Sequence, residues 1–197
     1  MSGQMSDVIS IDGVEYAIVE PVSDQLFDVR SYGVAPVMMH TANTRGVAAR
    51  YRIDDGQLLL ADLQVGSVDA PPAIEGVEAT TDEYGQTWTY LQLDLPITWT
   101  GDLLVGQGPI LELFVHGGFL PVWHYEKVLA FDLEAGVVES SEDRSEQVRA
   151  FREERTSGGG SGNAAGNDTS DGAAEEDEEN VFERFLSSLR IRLGIDE

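Results

Sequence analysis

Val47-Ala48-Ala49-Arg50-Tyr51-Arg52-Ile53, then Asp54-Asp55-Gly56, then Gln57-Leu58-Leu59-Leu60-Ala61-Asp62-Leu63 decides the fold class of this chain. Two apolar runs flank an acidic turn that ends in glycine, the mark of a β-hairpin. The same grammar opens the chain as Val8-Ile9-Ser10-Ile11, Asp12-Gly13 and a return over residues 14–19. Asp-Gly supplies the positive φ that a tight turn needs. It recurs as residues 125–133, Glu134-Ala135-Gly136 and residues 137–139. The Gly56 and Gly136 hairpins are alike enough to suggest an internal duplication, although hairpins resemble one another without common origin.

Working outward, residues 74–79, 87–94, 102–105 and 110–115 read as further strands. Residues 23–30 read as a short helix or loop, and residues 66–72 and 80–85 as loops. Strands at roughly 8–12-residue spacing with turns between them predict a sandwich or barrel. The expected fold is mainly β. Residues 1–140 form an antiparallel sandwich or barrel-like sheet of hairpins, and the pattern leaves open which. A polar helix follows over 141–156, with Val148, Ala150 and Phe151 as its apolar residues. Residues 157–180 are a Gly-rich acidic segment with too little apolar surface to order itself; as a coil it spans on the order of 25–30 Å. Residues 181–197 form an amphipathic helix. Asn180 and Glu183 supply a box-like start, and Phe182, Phe185, Leu186, Leu189 and Leu193 fall on one face. So short a helix is marginal alone and needs a surface to rest on.

Charge bounds the setting. Thirty-six acidic residues face twelve basic ones, of which only Lys127 is a lysine, giving a formal charge of −24. A small domain ordinarily carries a magnitude of roughly 2–8, and such self-repulsion destabilises the compact state unless ions screen it. The composition suits the cytoplasm of an extreme halophile; the rival reading is an acidic nucleic-acid mimic or chaperone. With no basic run, direct nucleic-acid binding is not expected. No cysteine is present, which removes disulfides and thiolate chemistry. No signal peptide is expected from the first seven residues, and no apolar run is long enough for a transmembrane helix.

No motif names an activity. The three histidines, His40, His116 and His124, form no metal spacing. His116-Gly117-Gly118 is similar to an oxyanion-loop sequence, but no G-x-S-x-G supplies a nucleophile. Residues 167–178 are loosely similar to a calcium loop without its helix or its ligands, and no P-loop or dinucleotide motif occurs. No metal or cofactor is expected. The stretch His40-Thr41-Ala42-Asn43-Thr44-Arg45-Gly46 gathers hydroxyl, amide and guanidinium donors. These suit a carboxylate or phosphate, and equally the capping of a loop.

Two segments carry a resemblance. Thr44-Arg45-Gly46 running through the hairpin to Leu63 is one. Trp99-Thr100-Gly101-Asp102-Leu103, followed by Tyr125-Glu126-Lys127 and the turn at Gly136, is the other. Together they resemble a family of uncharacterised bacterial and archaeal β-rich proteins, over about residues 40–140. The resemblance implies a shared β fold and no chemistry.

Two functions from different classes follow. The first is a non-enzymatic protein-interaction module. Its tethered helix presents Phe182, Phe185, Leu186, Leu189 and Leu193 to a protein partner, or rests on its own β-domain; contact with a membrane surface is a lesser option. The alternative is a small-ligand-binding or hydrolytic β-domain built from His40, Thr44, Arg45, His116 and His124.

Overall fold

Paired positive φ values fix four two-residue turns: Asp12-Gly13 (51° and 77°), Asp55-Gly56 (47° and 77°), Glu75-Gly76 (47° and 83°) and Ala135-Gly136 (49° and 82°). Positive φ at both central residues is the type I′ condition, whose twist matches that of the flanking strands. The computed structural model describes residues 3–20, 26–81, 86–110, 113, 118–158 and 184–189.

Three of these turns join strands expected from the sequence. They connect β1 (Val8–Ile11) to β2 (Val14–Glu20), β3 (Val47–Asp54) to β4 (Gln57–Gly66), and β9 (Tyr125–Glu134) to β10 (Val137–Asp143). The short strands β5 (Thr80–Thr81), β6 (Thr87–Tyr90) and β7 (Leu95–Pro96) and the long β8 (Gly101–Pro109) lie between the second and third hairpins. The protein is mainly β.

The sheet runs β10-β9-β8-β2-β1-β3-β4, and β10 then returns to pair with β4 through Val137 and Gln57. Seven strands thus close into a ring, with β6 and β7 attached to β4 and β5 to β6. Pairing is antiparallel except between β1 and β3, which run parallel with Ile9 opposite Tyr51. A chain of hairpins alone would not produce that pair; the long connection from β2 to β3 makes it.

Closure rests on a few groups. The Leu58 N–H donates to the Gly136 carbonyl at 2.8 Å, the Val138 N–H to the Gly56 carbonyl at 2.8 Å, and the Gly136 N–H to the Trp99 carbonyl at 2.7 Å. Gln57 Nε2 adds a bond to the Gly136 carbonyl at 3.1 Å. A Cβ at position 136 would lie 1.7 Å from the Ile97 carbonyl oxygen, so only glycine fits here. The two hairpins with like sequences therefore meet turn to strand, and their junction is the seam of the barrel.

Several expected elements differ. Residues 74–79 are not a strand: Ile74 and Val77 exchange backbone hydrogen bonds across Glu75-Gly76 in an isolated tight turn. The strand begun at Thr87 stops at Tyr90, because Gln92 (φ 56°) and Asp94 (φ 47°) are left-handed. Asp62 accepts the Gln92 N–H there at 3.0 Å. The short helix or loop expected over 23–30 lies partly outside the described residues; a 3-10 turn occupies Val29–Tyr32. The expected strand at 110–115 falls largely outside them, and the Leu113 N–H bonds to the Ile110 carbonyl in a tight turn. β10 continues to Asp143 opposite Leu129, so the polar helix α1 (Ser145–Gly158) starts after Arg144 rather than at 141. Residues 159–183, which hold most of the acidic Gly-rich segment, lie outside the described residues.

Ile9, Tyr51, Leu58, Leu60, Leu103 and Leu133 are essentially inaccessible and belong to the main core inside the ring. A second core lies on the outer face of β8 and β9. Leu104, Val128 and Ala130 alternate there with the inward residues and pack under Val148 of α1 and under Leu186 and Leu189 of the helical segment 184–189. Two strands are thus buried on both faces. Such strands read as continuous apolar runs rather than alternating ones, as Leu103-Leu104-Val105 does.

Candidate functional site

The polar stretch 40–46 folds as a latch on the N-terminal segment. Asn43, buried, accepts the Gly46 N–H at 3.0 Å and donates through Nδ2 to the Val47 carbonyl at 3.0 Å, which shapes the loop from within. His40 is exposed, and its Nδ1 accepts the Ala42 N–H at 3.3 Å. The backbone N–H and the hydroxyl of Thr44 both donate to Gln4 Oε1, at 3.3 and 2.9 Å. Arg45 reaches Asp7 through Nη2–Oδ1 at 3.1 Å and also donates to the Met5 carbonyl at 3.3 Å. Its guanidinium lies 5.6 Å from the centroid of the Phe119 ring. Asp7 Oδ1 accepts the Ala49 N–H as well, at 2.9 Å.

With side-chain exposures of 16% for Arg45 and 7% for Asp7, this is a largely buried ion pair. Removing one member of such a pair strands the other charge away from water. The donors that suit an anionic ligand are therefore engaged with the chain's own N-terminal segment.

His124 sits elsewhere. It ends the 3-10 turn Val122–His124, between Val122 and Tyr125 of the second core, and is 5% exposed. Its Nδ1 finds no hydrogen-bond partner among the described residues. Burial, and then the positive charge of Arg152, hold its pKa below the ordinary histidine value, so the imidazole is kept neutral. His116 lies outside the described residues. The geometry thus joins Thr44 and Arg45 to the N-terminal segment and leaves His124 in a separate, apolar setting. Among the described residues no group of three His, Asp or Glu side chains is gathered as a metal ion would require. No helix there is long and apolar enough to cross a membrane.

The C-terminal stripe lies against the chain's own barrel. Leu186 and Leu189 are buried in the second core, and Phe185 stacks on Phe151 of α1 with centroids 3.7 Å apart and planes 7° from parallel. Phe182 and Leu193 lie outside the described residues. Polar groups frame this contact. Arg144 Nε donates to the Leu189 carbonyl at 3.2 Å. Arg152 donates to the Trp123 and Tyr125 carbonyls at 2.9 and 2.8 Å, tying α1 to the turn beneath it. Arg155 lies over the Trp123 ring at 5.2 Å. Ser145 Oγ accepts the Val128 N–H at 3.0 Å, which docks the start of α1 on β9. Asp143 Oδ1 accepts the Ser145 N–H at 2.9 Å. Hydrogen bonds from Ser145, first from its side chain and then from its backbone, lower the pKa of Asp143.

The sequence reading missed the floor of this site. Leu104, Val128 and Ala130 gave no alternating signal that separated an outer apolar face from the core. Such a signal existed in the unbroken run Leu103-Leu104-Val105, which asks for cover on both sides. No protein-family model, curated protein or solved structure matches the chain.

Proposed function

We propose that this chain is a non-enzymatic protein-interaction module whose C-terminal helix is the exchangeable element. The observation that supports this is the seating of Leu186 and Leu189 against Leu104, Val128 and Ala130. An amphipathic helix in an apolar groove is a general recognition mode, and here the barrel supplies such a groove to its own helix. Burying a leucine side chain stabilises by roughly 1.5–3 kcal/mol, from which the cost of ordering the helix must be subtracted. The net hold is modest. A partner groove that buries the whole stripe, with Phe182 and Leu193 included, competes with it.

The alternative is a small-ligand-binding or hydrolytic β-domain at His40–Arg45. It draws less support, because Thr44 and Arg45 already bond Gln4, Met5 and Asp7.

The test is affinity capture in molar KCl with the full chain and with the variant Leu186→Asp/Leu189→Asp, after circular dichroism has shown both to be folded. A partner bound by the first and lost by the second is expected. Identical partner sets, or none, would remove the helix from the function.

A further inference from the structure

A second site is built at the barrel seam, away from the helix. An open cavity of about 400 Å³ lies between the 3-10 turn Val29–Tyr32, with the residues leading into it, and the segment from β7 to Trp99. That volume is within the range of small-molecule sites, roughly 300–1,000 Å³. Three aromatic side chains line it: Phe27, Tyr32 and Trp99. Phe27 and Tyr32 stack on each other with centroids 5.5 Å apart and planes 29° from parallel.

Trp99 is held by its surroundings. Its ring packs on Gly101, where a Cβ would stand 2.8 Å from it, and its carbonyl accepts the Gly136 N–H at 2.7 Å. The neighbouring Ile97 N–H donates to the Leu58 carbonyl at 3.0 Å. Trp99 is therefore anchored to the closure of the barrel and is pre-formed on that side of the cavity.

Two carboxylates flank these rings. Asp28 lines the cavity and caps the turn: its Oδ1 accepts the Arg30 N–H at 3.0 Å and pairs with Arg30 Nη1 at 3.3 Å, both side chains being about half exposed. The Tyr32 hydroxyl donates to Glu75 Oε1 at 3.5 Å. Burial, and then Glu75, push the Tyr32 pKa up, so its ring stays a neutral phenol. Arg30 reaches Asp28 from outside the lining, which itself holds no lysine or arginine, and the chain as a whole carries −24. Aromatic faces present negative potential to a cation, and carboxylates add to it.

From the three aromatic walls, the flanking carboxylates and the volume, we infer that this cavity binds a small organic cation with a methylated ammonium head. The methyl groups pack on the rings, and the spread positive charge lies beside Asp28, the one carboxylate in the lining, with Glu75 behind the Tyr32 hydroxyl. A compact, strongly hydrated ammonium would lose more on leaving water and is the poorer fit.

The experiment uses the full chain with fluorine-labelled tryptophan, which gives separate signals for Trp88, Trp99 and Trp123. Tetramethylammonium is titrated at constant total ionic strength, and tert-butanol serves as its neutral isostere. A saturable shift at Trp99 is expected, with Trp88 and Trp123 unmoved and with about ten-fold weaker binding of tert-butanol. Phe27→Leu/Tyr32→Leu, which keeps apolar bulk and removes two ring faces, is expected to weaken binding about ten-fold. If Trp88 and Trp123 report misfolding of that variant, Phe27→Leu alone takes its place. The inference is overturned by equal shifts at all three tryptophans, by no saturation, by equal affinity for the neutral isostere, or by a folded variant that binds as tightly as the parent.

Discussion

Gly136 and Gly13 occupy equivalent places in their turns, with φ of 82° and 77°, yet their neighbourhoods differ completely. A side chain at 13 meets nothing within 4 Å, whereas one at 136 meets the Ile97 carbonyl at 1.7 Å and Gln57 Nε2 at 2.7 Å. Gly13→Ala is therefore expected to cost only the left-handed penalty, about 1–2 kcal/mol. Gly136→Ala adds a clash that pushes β10 from β4, and should cost at least about 2 kcal/mol more, in the range of strained or overpacked sites. Urea denaturation of the two variants measures the difference; equal midpoints would show that the seam does not hold the barrel shut. His124 gives a pH prediction at the same scale. Its folded pKa lies below its ordinary value of about 6.5 through burial and Arg152. Above that value neither state binds the proton and the full stability is present. As the pH falls, the unfolded chain takes up the proton first, so stability declines until the folded pKa is passed. His124→Phe is expected to flatten the fall in urea midpoint between pH 7.5 and pH 5. A variant with the parent's slope would assign the pH dependence to other groups.

At the scale of elements, the helical segment 184–189 is the least independent piece. A short isolated helix is marginal in water, and the described residues 184–189 rest on the barrel through Leu186, Leu189 and the Phe185–Phe151 stack. This limits what a substitution there can do. Leu→Ala in a closed core commonly costs about 2–5 kcal/mol, but a docked segment leaves its surface once its hold is spent, and the barrel then stands without it. Leu189→Ala is therefore expected to speed amide exchange at 184–189 and at Val128 and Ala130 at least ten-fold, with little change at the β3–β4 hairpin. Hydrogen exchange read by mass spectrometry distinguishes the regions. Uniform acceleration would mean that the helix and barrel unfold as one unit. The sequence announced the amphipathic stripe through its 3.6-residue period. It did not announce the floor, because Leu104, Val128 and Ala130 become a surface only when β8 and β9 lie side by side.

At the scale of the whole molecule, charge dominates. Exposed pairs such as Arg50–Glu15 and Arg52–Asp94 offset little of a net −24, since surface ion pairs contribute about 0–1 kcal/mol each. At roughly 1 M salt the Debye length is only about 3 Å. The chain is expected to keep its β-type circular dichroism in molar KCl and to lose it as salt is removed. A spectrum unchanged in dilute buffer would show that the two cores alone outweigh the repulsion, and would remove the argument for a high-salt environment.

The hairpins, their glycine turns, the mainly β class and the apolar stripe at the end follow from the sequence alone, because each is set by residues near one another in the chain. The Asp-Gly pairs and the glycine after Glu134-Ala135 mark positive φ locally, and alternation marks strands, whereas the Glu75-Gly76 turn lay inside a stretch that reads as a strand. The closure of β10 on β4, the parallel pairing of β1 with β3 and the second core under α1 were decided by tertiary structure. So were the partners of the His40–Arg45 loop. Its donors read equally as a ligand cradle until Asp7, 38 residues away, is placed beneath Arg45. A sequence states which groups seek partners; only the fold, by bringing distant residues within 3 Å, states which partners they find.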